Sequence, residues 1–500
     1  MSEKKIRLGI WGLGRGSSFI TAARYLGVDI VAGCDISEDV RERFRENCPD
    51  AFITADDKEF LAYKDMDAVL IATFFTDHAE HAIRALEAGF HVMCEVTSFF
   101  TPAQGVRLVE AVEKSGKVYN LLENYPFTKE NIYLAKLWQE GFFGEFQYGE
   151  FEYFHSCRTL DYSYNLPDNP PVVPGYAVHS WRSWLDFHYY NTHSLGPIMK
   201  ITGLRPLTVT APPDDVPQPG HLENSGMGRA CPSFVKMSNG GIFRNLTGAG
   251  SGDYHMGKRI WGTRACAESI GHGLILRVGA CGSSPSINVE PEWTELGEAA
   301  EKAGHGGGDF WEIYHFAKQI REGIPAPWNI YDACDVTLAG IMAVRSREQG
   351  GVTMEIPDFR KPEVREKFRN DEGQQKRPFD PMHIFPDGHD TSITGDFCKI
   401  MVELCKYERT WRIAFDGAKI LPLAKDEKER AVIKESIDKL AKDFDATLAS
   451  IASARRLIAA YPNTKPAKAM EEMISLFEPE LSANPHQLLK KVADETSARG

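Results

Sequence analysis

The first 124 residues alternate between short apolar runs and amphipathic stretches. Apolar runs of this kind are typical of strands that are buried on both faces of a parallel sheet. They are Ile6–Trp11, Asp29–Cys34, Ala68–Ala72, His91–Cys94 and Lys117–Leu122. Helical spacing separates them, over 18–26, 78–88 and 101–115. Strands that alternate with helices predict an α/β domain with a Rossmann-type, doubly wound parallel sheet over 1–124.

The pattern changes after residue 124 and again after residue 362. Strand-like segments at 146–154, 207–211, 233–237 and 241–245 predict an α+β domain over 125–362, with one large, open mixed or antiparallel sheet. The segment 161–184 is rich in Pro, Tyr and Trp, and long enough to predict a functional loop. Helical spacing over 426–460, 467–477 and 485–498 predicts a C-terminal helical extension within 363–500. Because amphipathic helices pack on their own protein or on a symmetry mate, we expect a homo-oligomer.

A glycine-rich turn follows the first strand and opens the first helix. Gly12 permits the tight turn, and Gly14 lets the backbone approach a pyrophosphate at the helix N-terminus. The usual third glycine is displaced, since Ser17 stands at its position and Gly16 precedes it. Asp35 ends the second strand, where a carboxylate accepts hydrogen bonds from ribose hydroxyls and repels a 2′-phosphate. The strand, turn, helix and acid together predict NAD rather than NADP.

Ligands of a doubly wound sheet bind outside the carboxyl ends of its strands. This rule places 73–75, 95–97 and 123–125 around the nicotinamide. The predicted cofactor-binding residues are Gly12, Leu13, Gly14, Arg15, Gly16, Ser17, Asp35, Thr73, His78, Glu95 and Asn124.

Composition and charge narrow the range of partners. The chain has 57 basic and 70 acidic residues, a formal net charge of −13, which disfavours nucleic acid and anionic membranes. No apolar run is long enough to span a membrane. The N-terminus runs directly into the first strand without a signal sequence, which predicts a cytoplasmic protein. The 10 cysteines form no CxxC motif and are expected to be reduced. The histidines lack ligand spacing, so no metal is predicted.

Several motifs resemble the Gfo/Idh/MocA family of sugar oxidoreductases, over about residues 5–360. They lie at 9–16, 76–81 and 85–95. The resemblance implies bound NAD and a small carbohydrate substrate. The dehydrogenases of that family carry Glu-Lys-Pro where this chain reads Glu95, Val96 and Thr97. The family lysine polarises the hydroxyl that is oxidised, and Val96 carries neither charge nor proton, which argues against ordinary dehydrogenase chemistry.

The chain is also similar to glycoside hydrolase family 109, whose NAD-dependent glycosidases lack that lysine too. The similar stretches are 122–125, 141–145, 148–150, 154–155, 190–197, 305–309 and 329–333. The chain departs from the family pattern at Asn191, where the family has Pro, and at Ser194, where it has Gly. A related family of NAD-dependent glycosidases therefore fits nearly as well.

The resemblance implies a glycoside hydrolase that oxidises its sugar transiently, at C3, eliminates the aglycone, adds water and re-reduces the sugar. Such a reaction needs acid–base groups within reach of adjacent carbons. The candidates are Glu123, Tyr190, His193 and Tyr254, with His155 as an outsider. The first three match family positions that contact the sugar, and Tyr254 aligns more loosely. Alternatively, Glu123 caps the next helix, the histidines are structural and the tyrosines serve only aromatic packing.

Two other functions stay open at this point. One is a conventional NAD-dependent sugar or inositol dehydrogenase that releases NADH, and the other is a non-catalytic, NAD-bound sensor. The missing lysine disfavours the first, and the presence of Glu123, Tyr190 and His193 disfavours the second. The expected ligand in every case is a small carbohydrate or glycoside, and neither nucleic acid nor membrane is expected as a partner.

Overall fold

A computed structural model describes most of the chain. The described residues are 5–162, 185–223, 225–250, 257–269, 273–279, 283–293, 295–375, 384–386, 392–420, 423–424 and 426–477. Tyr254, most of the 161–184 loop and the helix predicted over 485–498 lie outside the described residues. The predictions made for them stay predictions.

The described chain divides into two compact units. The first consists of the described residues of Met1–His155, Asp186–Asp215 and Ala230–Lys376, and the second of those of Ser156–Leu185, Val216–Arg229 and Arg377–Gly500. Two segments from within the predicted α+β domain therefore belong with the C-terminal helices. The proposed boundaries of 1–124, 125–362 and 363–500 stay a prediction.

The first sheet of unit 1 has six parallel strands in the order β3-β2-β1-β4-β5-β6. The strands are β1 Ile6–Trp11, β2 Val28–Cys34, β3 Phe52–Thr54, β4 Ala68–Ile71, β5 His91–Glu95 and β6 Tyr119–Leu122. The helices are α1 Leu13–Gly16, α2 Ile20–Tyr25, α3 Glu38–Asn47, α4 Asp57–Ala62, α5 His78–Glu87 and α6 Pro102–Ser115. This order is that of the doubly wound dinucleotide-binding fold, with its switch point between β1 and β4. The predicted fold class is confirmed.

The second sheet of unit 1 has nine strands in the order β14-β13-β12-β11-β7-β10-β9-β8-β15. The strands are β7 Phe146–His155, β8 Pro206–Thr210, β9 Ala230–Met237, β10 Ile242–Ala249, β11 Lys258–Gly262, β12 Ala265–Ser269, β13 Leu274–Val278, β14 Ser286–Val289 and β15 Met354–Glu355. β10 runs parallel to β7, and the other neighbouring strands are antiparallel. The prediction of a large, open mixed sheet is confirmed.

Six helices accompany this sheet in the described part of unit 1. They are α7 Lys129–Gln139, α9 Thr192–Thr202, α10 Gly297–Ala300, α11 Gly308–Glu322, α12 Ile330–Glu348 and α13 Pro362–Phe368. Helices α7 and α9 pack against each other, and α9 also packs against β7. Helix α11 packs against β6 and α2, so it links the second half of unit 1 to the carboxyl ends of the first sheet.

Unit 2 is helical in its described part. Its helices are α8 Arg158–Tyr162, α14 Ser392–Ile420, α15 Glu427–Ala460 and α16 Lys465–Ser475. The predicted helical extension is present, but α14 was not predicted, although Phe397, Met401 and Leu404 already show helical spacing. Trp411 of α14 stacks on Phe444 of α15, with ring centroids 6.0 Å apart, in an apolar core. No helix among the described residues is long and apolar enough to cross a membrane.

Candidate active site

The glycine turn after β1 requires glycine at its first position. Gly12 has φ +94°, and its amide donates to the carbonyl of Cys34 at 2.8 Å. A Cβ on Gly12 would lie 2.4 Å from the backbone carbonyl atoms of Ala72. Glycine is needed here both for the left-handed backbone conformation and for the close approach of two strand ends.

The other two glycines of the turn have different surroundings. A Cβ on Gly14 would meet nothing within 4 Å, whereas one on Gly16 would lie 2.4 Å from Cγ2 of Ile10. Gly16 therefore allows the close helix–strand packing that the third glycine of this motif usually provides. Open space above Gly14 is what the approach of a pyrophosphate requires.

We expect Gly14→Ala to weaken cofactor binding without destabilising the fold. The added methyl group occupies the open space and weakens NAD binding by about tenfold or more, while the thermal midpoint stays within about 3 °C of wild type. Gly12→Ala is the contrasting variant, and it lowers the thermal midpoint because its methyl group meets the backbone of Ala72. Thermal unfolding and nucleotide titration check both, and wild-type NAD affinity in Gly14→Ala would contradict the assignment.

Asp35 holds the turn from the end of β2. Its carboxylate accepts the amide of Leu13 at 2.8 Å and that of Ser37 at 2.9 Å. Burial raises the pKa of Asp35, and these backbone hydrogen bonds oppose the rise. The carboxylate therefore lies beside the glycine turn, where the sequence placed it for the adenosine ribose.

Thr73 and His78 lie at the end of β4. His78 is fully buried, with Nδ1 2.9 Å from the carbonyl of Thr97 and Nε2 3.1 Å from that of Thr73. Burial lowers the pKa of His78. The Thr73 hydroxyl lies 2.9 Å from Nδ1 of His81. In this structure His78 bridges the backbone after β4 to the backbone after β5.

Arg15 is held by two carboxylates. Its Nε donates to Glu95 at 2.7 Å, and its two terminal nitrogens donate to Asp309 at 2.7 and 2.9 Å. Asn124 and His305 also contact Asp309, at 3.1 and 3.0 Å. Burial favours the neutral acid, but the hydrogen bonds from Arg15 and His305 outweigh it and hold the pKa of Asp309 well below its usual range. Three of the predicted cofactor residues thus meet around one buried carboxylate.

Glu123 and His193 form a buried pair at the carboxyl end of β6. Nδ1 of His193 lies 3.1 and 3.0 Å from the two oxygens of Glu123. Glu123 is fully buried, and His193 is 9% exposed. One Glu123 oxygen also accepts the amide of Tyr125 at 3.1 Å. Because Glu123 engages Nδ1, Nε2 is the ring atom of His193 that remains for proton exchange.

Aromatic side chains surround the imidazole of His193. Ring centroids lie 4.7 Å away for Tyr125, 4.6 Å for Tyr153 and 5.7 Å for Tyr190. Burial raises the pKa of Tyr125, as does the nearby Glu123, so Tyr125 stays a neutral phenol. His155, the outsider, contacts Tyr153 with centroids 4.9 Å apart.

The structure brings the described candidates together at the carboxyl ends of the first sheet. The sequence analysis placed Tyr125 near the nicotinamide without giving it a role, and it did not name Asp309, Tyr153 or Glu312, which belong to the same site. Asp309 lies within the 305–309 stretch that resembles family 109, and that resemblance was the signal for it. Glu312 occupies an ordinary helical position, and nothing in the pattern distinguishes it. The roles of Glu123, Tyr190, His193 and Tyr254 stay predictions.

The residues present fit a dinucleotide. Gly12 and Gly14 leave a backbone cradle, and Asp35 stands beside it. Oδ1 of Asn124 is buried and, within the described part of the chain, has no hydrogen-bond partner, so an acceptor is available at the nicotinamide end. Together these features match the two ends of a nicotinamide dinucleotide.

A second cluster could in principle hold a metal. Asp186, His188 and Cys231 are buried, with potential ligand atoms within 4.8 Å of one another. His188 Nδ1 contacts Asp186 at 2.8 Å, and Arg347 forms an ion pair with the same carboxylate. The guanidinium of Arg347 neutralises the charge of Asp186 and would repel a cation. The ion pair therefore disfavours metal binding at this cluster.

Two family models match the chain. Residues 6–122 match the oxidoreductase family with an NAD-binding Rossmann fold, and residues 289–366 match the C-terminal domain of glycosyl hydrolase 109. The first segment is thus similar to the Gfo/Idh/MocA oxidoreductases and the second to the C-terminal domain of glycosyl hydrolase 109. The predicted resemblance to these two families and NAD as the cofactor are therefore confirmed, and the chain is an NAD-binding enzyme.

The relatives that match most of the chain are remote in sequence. The chain is 26% identical over 410 residues to a glycosyl hydrolase family 109 protein of Stenotrophomonas maltophilia (strain K279a). That alignment covers 71% of this chain and 89% of the relative. The chain is also 26% identical over 384 residues to an alpha-N-acetylgalactosaminidase of Tannerella forsythia. That alignment covers 67% of this chain and 81% of the relative.

Solved structures share the fold. Levoglucosan dehydrogenase in complex with NADH and levoglucosan superposes with a TM-score of 0.56 at 18% identity, over 71% of this chain and all of that one (100%). An NAD binding oxidoreductase from Klebsiella pneumoniae gives 0.59 at 15% identity, over 70% and 99%. At these identities the likeness establishes the fold alone.

Proposed function

We propose that this protein is an NAD-dependent glycoside hydrolase that cleaves small glycosides by transient oxidation of the sugar. The observation that carries the proposal is the buried pair of Glu123 and His193 at the carboxyl end of β6. A histidine oriented by a carboxylate is a common arrangement for general acid–base catalysis. The relatives named as family 109 glycosidases support the same reaction class.

The reaction needs protons to leave and return at adjacent sugar carbons. NAD⁺ held by the glycine turn and Asp35 would accept a hydride from C3 of the sugar, and as NADH it would return that hydride at the end of the turnover. His193 accepts a proton through Nε2, while Glu123 accepts Nδ1–H and stabilises the imidazolium that forms. Tyr190 lies with its ring centroid 5.7 Å from that of His193, close enough to the same sugar to serve as the second acid–base group.

The protons that are released and taken up balance over one turnover. Oxidation of C3 releases a hydroxyl proton to a base and makes the C2 proton acidic. Removal of that proton accompanies departure of the aglycone from C1, and the aglycone leaves with a proton from the site. Water then adds across the C1–C2 double bond, and reduction of the ketone restores the sugar.

Val96, which stands where the dehydrogenases of the Gfo/Idh/MocA family have lysine, supports the same proposal. Val96 is 7% exposed and apolar, so it neither polarises a hydroxyl nor stabilises an alkoxide. The neighbouring carboxylate of Glu95 is engaged by Arg15 at 2.7 Å. Acid–base chemistry at the site is therefore assigned to Glu123, His193 and Tyr190, and Tyr254 is retained as a candidate.

A panel of aryl glycosides in D₂O tests the proposal. The full-length protein is incubated without added cofactor with glycosides that include N-acetyl-α-galactosaminides, because one relative is named for that activity. We expect aglycone release, deuterium at C2 of the sugar and no net NADH. Stoichiometric accumulation of NADH without aglycone would instead establish a sugar dehydrogenase, and no turnover across the panel would favour a sensor.

A further inference from the structure

Glu312 is a buried carboxyl group at the edge of this site. It lies one turn after Asp309 on helix α11, so the two side chains share a helix face. Glu312 is 5% exposed, and within the described part of the chain neither of its carboxyl oxygens has a hydrogen-bond partner. An ionised carboxylate in such surroundings is costly. The burial alone therefore favours the neutral acid.

The charges around Glu312 favour the neutral acid as well. Burial contributes most, and the carboxylates of Asp309, Glu95 and Glu123 add to it, so that the pKa of Glu312 is well above its usual range. Arg15 acts in the opposite direction, but its guanidinium already pairs with Glu95 and Asp309. The other titratable or charged side chains on the segments packed against α11 are Arg24, Tyr25, Tyr119, Tyr125, Glu298 and His305.

The position of Glu312 connects it to the nicotinamide end of the cofactor site. Helix α11 packs against β6 and against the short 3-10 helix of 125–127 that follows it. The unpartnered Oδ1 of Asn124 lies in the same region, because Asn124 donates to Asp309 at 3.1 Å. A nicotinamide ring carries a positive charge when oxidised and none when reduced, so its redox state changes the local charge.

We propose that Glu312 releases and takes up one proton as the charge of the nicotinamide ring changes. The carboxyl group is neutral in the free protein, ionised when an oxidised ring binds, and neutral again when the ring is reduced. The favourable interaction of a pyridinium with the Glu312 carboxylate offsets the repulsion from the neighbouring acids. The inference rests on the placement of the ring in the proposed function, but not on cleavage of a glycoside.

The step balances without any additional reactant. When the oxidised nucleotide binds, the O–H bond of the Glu312 carboxyl group breaks and the proton leaves to solvent. When the ring is reduced, the carboxylate takes up one proton, equivalent to the one that a sugar hydroxyl releases on oxidation. Glu312 itself is neither oxidised nor reduced.

Infrared difference spectroscopy on the full-length protein loaded with NAD⁺ or with NADH tests this proposal. We expect the carbonyl band of a protonated carboxylic acid in the NADH form, absent from the NAD⁺ form and absent from both in Glu312→Gln. Calorimetric titration in two buffers of different ionisation enthalpy should show about one proton released per NAD⁺ bound and none with NADH. In Glu312→Gln the preference for NAD⁺ over NADH should fall about tenfold.

A matched control lies on the same helix. Glu322 ends α11 and is exposed, so Glu322→Gln should retain both the infrared band and the released proton. Glutamine has the shape of the neutral acid, and Glu312→Met provides a second variant should glutamine disturb folding. A band present in both redox forms, or a proton release that survives in Glu312→Gln, would overturn the charge linkage alone. Failure of both nucleotides to bind would overturn the proposed function together with this inference.

Discussion

Replacing His193 with glutamine is expected to lower the rate of glycoside cleavage by about 10²–10⁴-fold, the usual contribution of a positioned general acid–base group. Glutamine fills much of the same volume but cannot take up a proton at neutral pH. Nδ1 of His193 lies 3.0 Å from Glu123, so the variant also leaves a buried carboxylate with a weaker partner. Initial rates of aglycone release on the best glycoside of the panel measure the effect.

The control for this variant is His315→Gln. His315 lies on α11, where its ring packs 5.1 Å from that of Phe127 and outside the acid–base pair. The control should retain wild-type turnover and the wild-type thermal midpoint, and both variants should keep bound nucleotide. A His193→Gln protein with nearly wild-type turnover would remove His193 from the mechanism and return it to the role of a structural histidine.

Glu123→Gln extends the same argument. The amide keeps the shape of the side chain but loses the charge that stabilises an imidazolium and fixes the ring tautomer. Because the two residues act as a unit, the double variant should be no slower than His193→Gln alone within a few fold. Multiplicative losses in the double variant would mean that Glu123 and His193 act separately.

Long apolar runs made the first sheet predictable. All four residues of β4 are buried, and such a run is visible without knowledge of the fold. β3 has three residues, too few to show a period, so the sequence analysis omitted it. The strands β11 to β14 have only four or five residues each, and neighbouring strands supply their hydrogen bonds. Helix α14 was omitted although its apolar spacing was present.

The site was predictable as a set of residues but not as a set of contacts. Glu123 and His193 are 70 positions apart, and Arg15 and Asp309 are 294 apart, so no local pattern pairs them. The strand-end rule placed Glu123, and the glycine turn placed Arg15, at the carboxyl edge of the sheet. Glu312 escaped notice because its chemistry comes from burial and from acids on other elements, which only the folded chain brings together.

Breaking the ion pair of Arg15 and Asp309 is expected to destabilise unit 1. Asp309 is fully buried and holds Arg15 through two hydrogen bonds of 2.7 and 2.9 Å. Asp309→Ala leaves the guanidinium with the carboxylate of Glu95 and the hydroxyl of Ser18, and breaking a buried pair in this way costs about 3–5 kcal/mol. Denaturant titration of the nucleotide-free protein at pH 7 should show this loss in the transition of unit 1. Because the partners are coupled, Arg15→Met combined with Asp309→Leu should cost less than the sum of the single losses.

The pH dependence of the free energy of unfolding provides a second test of the ion pair of Arg15 and Asp309. The pKa of Asp309 is lowered in the folded protein, so its contribution is complete above the unfolded-state pKa of about 3.9 and is lost as the pH falls below that value. The stability difference between wild type and Asp309→Asn should therefore persist from about pH 7 to pH 5 and shrink below about pH 4. Asp29→Asn serves as the control, since Asp29 is half exposed with a single 3.3 Å contact to Lys5, and it should cost about 1 kcal/mol or less. An Asp309→Asn protein as stable as this control would show that Glu95 alone suffices to hold Arg15.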